Sequence, residues 1–72
     1  MNRKERMQIL KNRIAREGFS QEEMAHKMGL TRNGLIKKLI GESEFWVDEA
    51  ALLTELLNLT KEEEDVIFFG RW

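Results

Sequence analysis

Few residues in this chain are of a type that makes or breaks bonds, and their spacing joins none of them into a reactive set. His26 is the only histidine and cysteine is absent, so no nucleophile has a basic partner and no typical zinc ligand set exists. There is no Gly-rich phosphate loop and no paired-carboxylate signature. A chain of 72 residues is also expected to lack a ligand pocket of about 300 Å³ or more, so neither an enzyme, a cofactor nor a small-molecule substrate is expected. The chemistry that remains is charge and hydrogen bonding. Residues 1–41 carry ten Lys/Arg against four Asp/Glu and residues 42–72 carry two against nine, balances of +6 and −7 that sum to the net −1. Such a chain can offer a basic face to a polyanion despite its near-neutral total. The plainer reading is two solvated helical surfaces, and charge alone leaves both open.

The elements that must position these charges are helices. Proline is absent and strong helix formers dominate. No apolar run approaches the roughly 18 residues of a membrane span, and the basic start Met1–Arg6 is not followed by a signal-peptide core, so a cytoplasmic protein with no membrane partner is expected. With no disulfide or metal, a chain this short buries only about 60% of its unfolded surface, and its stability should be modest. The first helix is read from about Asn2 to Glu17, with Met7, Leu10 and Ile14 on its inner stripe. Gly18 ends it. Ser20 and Glu23 form a capping box for a second helix, Gln21 to Met28, which Gly29 stops after two turns. Thr31 is the expected N-cap of a third, Arg32 to Ile40, with Leu35 and Leu39 inward and Gly41 closing it. Phe45 and Val47 are read as a short extended link. Asp48 is then the expected cap of a fourth helix, Glu49 to Leu57, and Thr60 with Glu63 caps a fifth over 61–69. The whole of 1–72 is read as one all-α domain of five helices.

One stretch carries mechanical information. Ala25 is followed four residues later by Gly29 and six after that by Leu35. For two short helices to cross steeply over a tight turn, the first must present a side chain no larger than a methyl where the second packs down. The turn must tolerate positive φ, which favours glycine, and Leu35 pins the second helix while leaving its other face free. With Gln21 at the start, this pattern resembles the lambda-repressor and Cro family of helix-turn-helix proteins, often called the XRE family. The match covers Ser20 to Gly41 closely and the five-helix plan loosely. The run Lys37-Lys38-Leu39-Ile40-Gly41, the following Glu42 to Phe45 and the terminal Val66 to Phe69 are similar to a subgroup of temperate-phage regulators of Gram-positive hosts.

The resemblance implies a DNA-facing set in a bacterial host cell. Gln21, first in the second helix, would contact a phosphate. Thr31, Arg32, Asn33, Ile36 and Lys37 would read base edges, with Arg32 suited to guanine, Asn33 to adenine and Ile36 to a thymine methyl. Gly34 would let the backbone approach the groove. Lys38 and Lys11 suit phosphates better than bases, because an ammonium is a point charge without a planar fork. His26 is read as an ordinary exposed histidine, and Met24 and Met28 as core-filling.

Two features depart from a simple reader of DNA. Ile40 stands where members of that family commonly carry a polar residue, and with Ile36 it makes a second apolar stripe, which can meet DNA methyls, pack under Trp46 or bind a protein. Phe68, Phe69 and Trp72 form a terminal aromatic cluster of the kind found at subunit interfaces. Two functions are therefore expected from the resemblance. One is a Cro-like regulator binding double-stranded operator DNA as a homodimer. The other is a modulator of repression, or antirepressor, that forms a heterocomplex with a phage repressor by gripping its DNA-binding domain.

Overall fold

Four of the five helices start on a side chain that accepts the amide three residues on. Asn2 takes that of Glu5 at 2.8 Å, Ser20 that of Glu23 at 3.0 Å, Thr31 that of Gly34 at 3.0 Å and Thr60 that of Glu63 at 3.1 Å. At Asn2, Ser20 and Thr60 the glutamate answers by accepting the cap residue's own amide, so two otherwise unpaired donors are satisfied at once. Thr31 has Gly34 at that position, which has no side chain to answer with. These caps delimit α1 (Arg3–Arg16), α2 (Gln21–Lys27), α3 (Arg32–Leu39) and α5 (Lys61–Phe69) in a computed structural model that describes residues 1–70.

The remaining helix corrects the expectation for Asp48. α4 spans Val47–Leu56, two residues ahead of the expected start, with Trp46 at its N-cap. The indole has no oxygen to offer an amide, but Glu49 accepts the Trp46 amide at 2.9 Å. This single half of a capping box lets the helix begin early. Val47 is therefore the first helical residue, 74% exposed, rather than part of a packed extended link. Phe45 does pack against the core.

The chain is all-helical, with five helices and no strand among the described residues. Its Cα radius of gyration is 11.0 Å, close to the roughly 11 Å of a compact chain of this length. One core joins every helix. Met7, Leu10 and Ile14 of α1 meet Met24 and Ala25 of α2, Leu35 and Leu39 of α3, Leu53 of α4 and Ile67 of α5, with Leu57 and Leu59 from the α4–α5 turn. α1 is the central element, packing on α2, α3 and α5.

The same helix ties down the C-terminal ends of three others. Arg3 donates to the Gly41 carbonyl just past α3 at 3.1 Å and pairs with Glu44. Arg6 donates to the Ile67 carbonyl in the last turn of α5 at 3.1 Å. Arg13 pairs with Glu63 and with Glu17 at 3.2 Å, and makes longer contacts to the Leu57 and Asn58 carbonyls at 3.4 and 3.5 Å, where α4 ends. A helix C-terminus presents unpaired carbonyls and partial negative charge. Each guanidinium answers both.

Two outcomes follow. Leu53 is fully buried, and Leu53→Ala should cost about 2–5 kcal/mol, about half of the roughly 4–11 kcal/mol that a domain of this size has. Urea denaturation followed by circular dichroism would measure it, and a loss under 1 kcal/mol would contradict this packing. Acid should also lower the stability of the chain. The Ser20 amide and hydroxyl hold the Glu23 carboxylate below its ordinary range, and the Thr60 amide, aided by Arg13, does the same to Glu63. Stability from a lowered carboxylate is complete above the unfolded value of about 4.3 and is lost as pH falls through the folded one. The Glu23→Gln, Glu63→Gln double variant should therefore lose less Tm than the parent between about pH 6 and about pH 3.

Candidate nucleic-acid interface

α2 and α3 are short, and the turn between them is built by backbone bonds. The Gly29 amide donates to the His26 carbonyl at 3.1 Å, and the Leu30 amide reaches back to Ala25 at 2.9 Å. This paired closure needs a left-handed residue at its centre, and Gly29 has φ +71°. Ala25 is 1% exposed against α3 and the core, where a larger side chain would hold the two helices apart. Thr31 then starts α3 immediately.

α3 is consequently two-sided. Leu35 and Leu39 are buried; Arg32, three and seven residues before them, is in line with that stripe and is exposed at the helix's first position, whereas Asn33 and Lys37 are exposed on the other side. Arg32, Asn33 and Lys37 make no side-chain hydrogen bond or ion pair with the described residues, so their donors face solvent. Ile36 is half-buried on the same side and Ile40, the C-cap, is 57% exposed. The Thr31 hydroxyl oxygen already accepts the Gly34 amide, leaving its proton to donate. Gly34 follows with its backbone close to that hydroxyl: a Cβ there would sit 3.1 Å from it. Gln21 opens α2 half-buried. Glu22 and Glu23 share its first turn, so a phosphate there would meet the Gln21 amide beside two carboxylates.

Lys38 does not belong with these. Its side chain is 11% exposed, and its ammonium lies 2.9 Å from the Glu44 carbonyl and 2.9 Å from the Glu49 carboxylate. It also lies 5.9 Å from the ring centres of both Phe45 and Trp46. The same Glu49 oxygen accepts the Trp46 amide, so Lys38 staples the end of α3 to the start of α4. A charge so engaged is a strut, and the expectation that it takes a phosphate is corrected. Lys11 is half-buried on α1, and His26 is exposed on α2 as expected.

The apolar candidates also separate. Trp46 is 71% exposed and stands with Ile40 and Val47 as exposed apolar surface around the α3–α4 connection. Phe68 instead packs inward, its ring meeting that of Phe45 edge to face at 5.6 Å and 80°. An edge-to-face pair of this kind is an internal contact, so Phe68 leaves the expected interface cluster. Phe69 is 47% exposed at the end of α5, and the expectation for Trp72 lies outside the described residues.

Sequence reasoning missed two things. The arginines of α1 were read only as basic charge, although Arg3, Arg6 and Arg13 at spacings of three and seven had to share a side of the helix. The second is a groove of about 400 Å³ between α1 and α5, larger than a bundle this small was expected to hold. Among the described residues no group of three or more His, Cys, Asp or Glu is arranged to hold a metal ion, and no helix is long and apolar enough to cross a membrane.

Gly29→Ala tests the turn. A Cβ there meets nothing within 4 Å, so its whole cost is the left-handed backbone, about 1–2 kcal/mol. A urea midpoint unchanged from the parent would deny the turn its positive φ. Comparison with protein-family models, with curated proteins and with solved structures finds no match to this chain.

Proposed function

We propose that this protein binds double-stranded operator DNA through the outer side of α3 and acts as a transcriptional regulator of the Cro type, with α2 and α3 as its helix-turn-helix. The observation that carries the reading is the exposed, unpaired trio of Arg32 at the first position of α3 and Asn33 and Lys37 on its outer side, on a short helix anchored by Leu35 and Leu39. Donors held outward on a rigid rod can enter the major groove without first breaking internal bonds. Arg32 would give guanine two hydrogen bonds and Asn33 would pair with adenine, while Gln21 would hold a phosphate and Lys37, an ammonium without a planar fork, would hold one too in place of the base edge expected of it. Ile36 lies between them, where a thymine methyl would sit. Two copies related by a two-fold axis would read half-sites about one helical turn apart.

A second reading rests on a different observation. Ile40, Trp46 and Val47 are 57, 71 and 74% exposed beside the end of α3. Residues 42–72 carry nine acidic residues against two basic ones. A modulator of repression would set such an apolar patch and acidic surface against the basic DNA-binding domain of a phage repressor.

Selection from a random duplex library, followed by titration of the winning site, tests the first reading. Affinity should fall steeply as salt rises. Arg32→Ala should cost about 1–3 kcal/mol and relax preference at one base pair, whereas Lys37→Ala should weaken all sequences alike and lower the salt slope by about one. Affinity that is flat in salt and indifferent to both changes would reject the DNA reading. A stoichiometric complex with a phage repressor, should one be found encoded beside this chain, that masks the repressor's operator contacts would favour the second.

A further inference from the structure

The groove between α1 and α5 is walled by opposite charges. Its α1 side carries Ile9 and Arg16, its α5 side carries Glu62 and Val66, and Ile67 closes its floor. Arg13 and Glu63 also line it but are paired with each other. Arg16 and Glu62 are different. Both are exposed and neither makes an ion pair with the described residues. Between them lies apolar surface, with Ile9 at 37% exposure and Val66 half-buried. The volume of about 400 Å³ has room for several side chains.

We propose that this groove is the surface through which two copies of the chain associate. A two-fold contact uses one patch twice, so the patch must complement itself. Here one wall is cationic, the other anionic, and the strip between them apolar. Turning a second copy over about a two-fold axis brings Arg16 of each chain to Glu62 of the other, and lays Ile9 and Val66 of one against those of its partner. A partner of single charge would gain at one wall and be repelled at the other. No residue of α2 or α3 lines the groove, so its occupation leaves Arg32, Asn33 and Lys37 uncovered. As a device for presenting two α3 helices this rests on the DNA-binding reading; the association itself does not.

Sedimentation of the whole protein without DNA, from micromolar to millimolar concentration, tests it independently of any operator. The parent should pass from monomer to dimer. Ile9→Glu, Arg16→Glu and Glu62→Arg should each weaken the dimer at least about tenfold while keeping the helical circular dichroism of the parent, since all three side chains are exposed. An equimolar mixture of the Arg16→Glu and Glu62→Arg chains should recover the dimer, because each wall then meets its opposite. A parent that stays monomeric to millimolar concentration would overturn the proposal. So would a dimer indifferent to Ile9→Glu and Arg16→Glu, or a mixture of folded variants that remains monomeric. Loss of operator binding with the dimer intact would count against the DNA reading alone.

Discussion

The fold depends on cations of one helix answering the carbonyl ends of three others. Arg3, Arg6 and Arg13 of α1 reach the ends of α3, α5 and α4 in turn, so α1 is both the core's central wall and the clamp on its neighbours' termini. Hydrophobic contact decides that these helices pack, but it is non-directional. A planar guanidinium with fixed donor directions supplies what burial lacks, a preferred position for each helix along its axis. Arg13 does most, since it bridges the end of α4 to Glu63, which itself fixes the start of α5.

This internal use of charge changes how the basic half is understood. Of its ten cations, Arg3, Arg6, Arg13 and Lys38 hold backbone carbonyls or carboxylates within the molecule. Several of their anionic partners, Glu44, Glu49 and Glu63, come from the acidic half. The charge asymmetry of the two halves is thus partly the means by which the chain closes on itself. What it leaves outward is Arg32 and Lys37 on α3, Lys27 on α2 and Lys4 and Arg16 on α1, with Lys11 half-buried.

The molecule consequently has two surfaces of different character. The outer side of α3 gathers unpaired donors on a short, well-anchored rod, and near its end Ile40, Trp46 and Val47 add exposed apolar area. The α1–α5 groove gathers an apolar strip between unlike charges. As proposed, the first meets a polyanion and the second another copy of the chain. Because separate elements carry them, both can be used at once, as a symmetric reader of a two-fold site requires.

Local signals were legible wherever the physics is local. Ser20 with Glu23, Thr60 with Glu63, Thr31 ahead of α3 and Gly29 after α2 are each decided within a few residues, and the structure has all four. The inner stripes of α1 and α3 were equally readable, because helical periodicity assigns a face without reference to any partner. The start of α4 was misread at Asp48 because the cap forms from the acidic side alone, with Glu49 accepting the Trp46 amide. Side chains whose partners lie far along the chain were beyond reach. The sequence by itself determined that Arg13 and Lys38 are long cations on helices; only the folded chain decided that Glu63 and Glu49 would take them, and that Ile9 and Val66 would border one groove. A charge placed by a contact across dozens of residues leaves no local pattern, since its partner is chosen by the packing of helices and not by its neighbours in the chain.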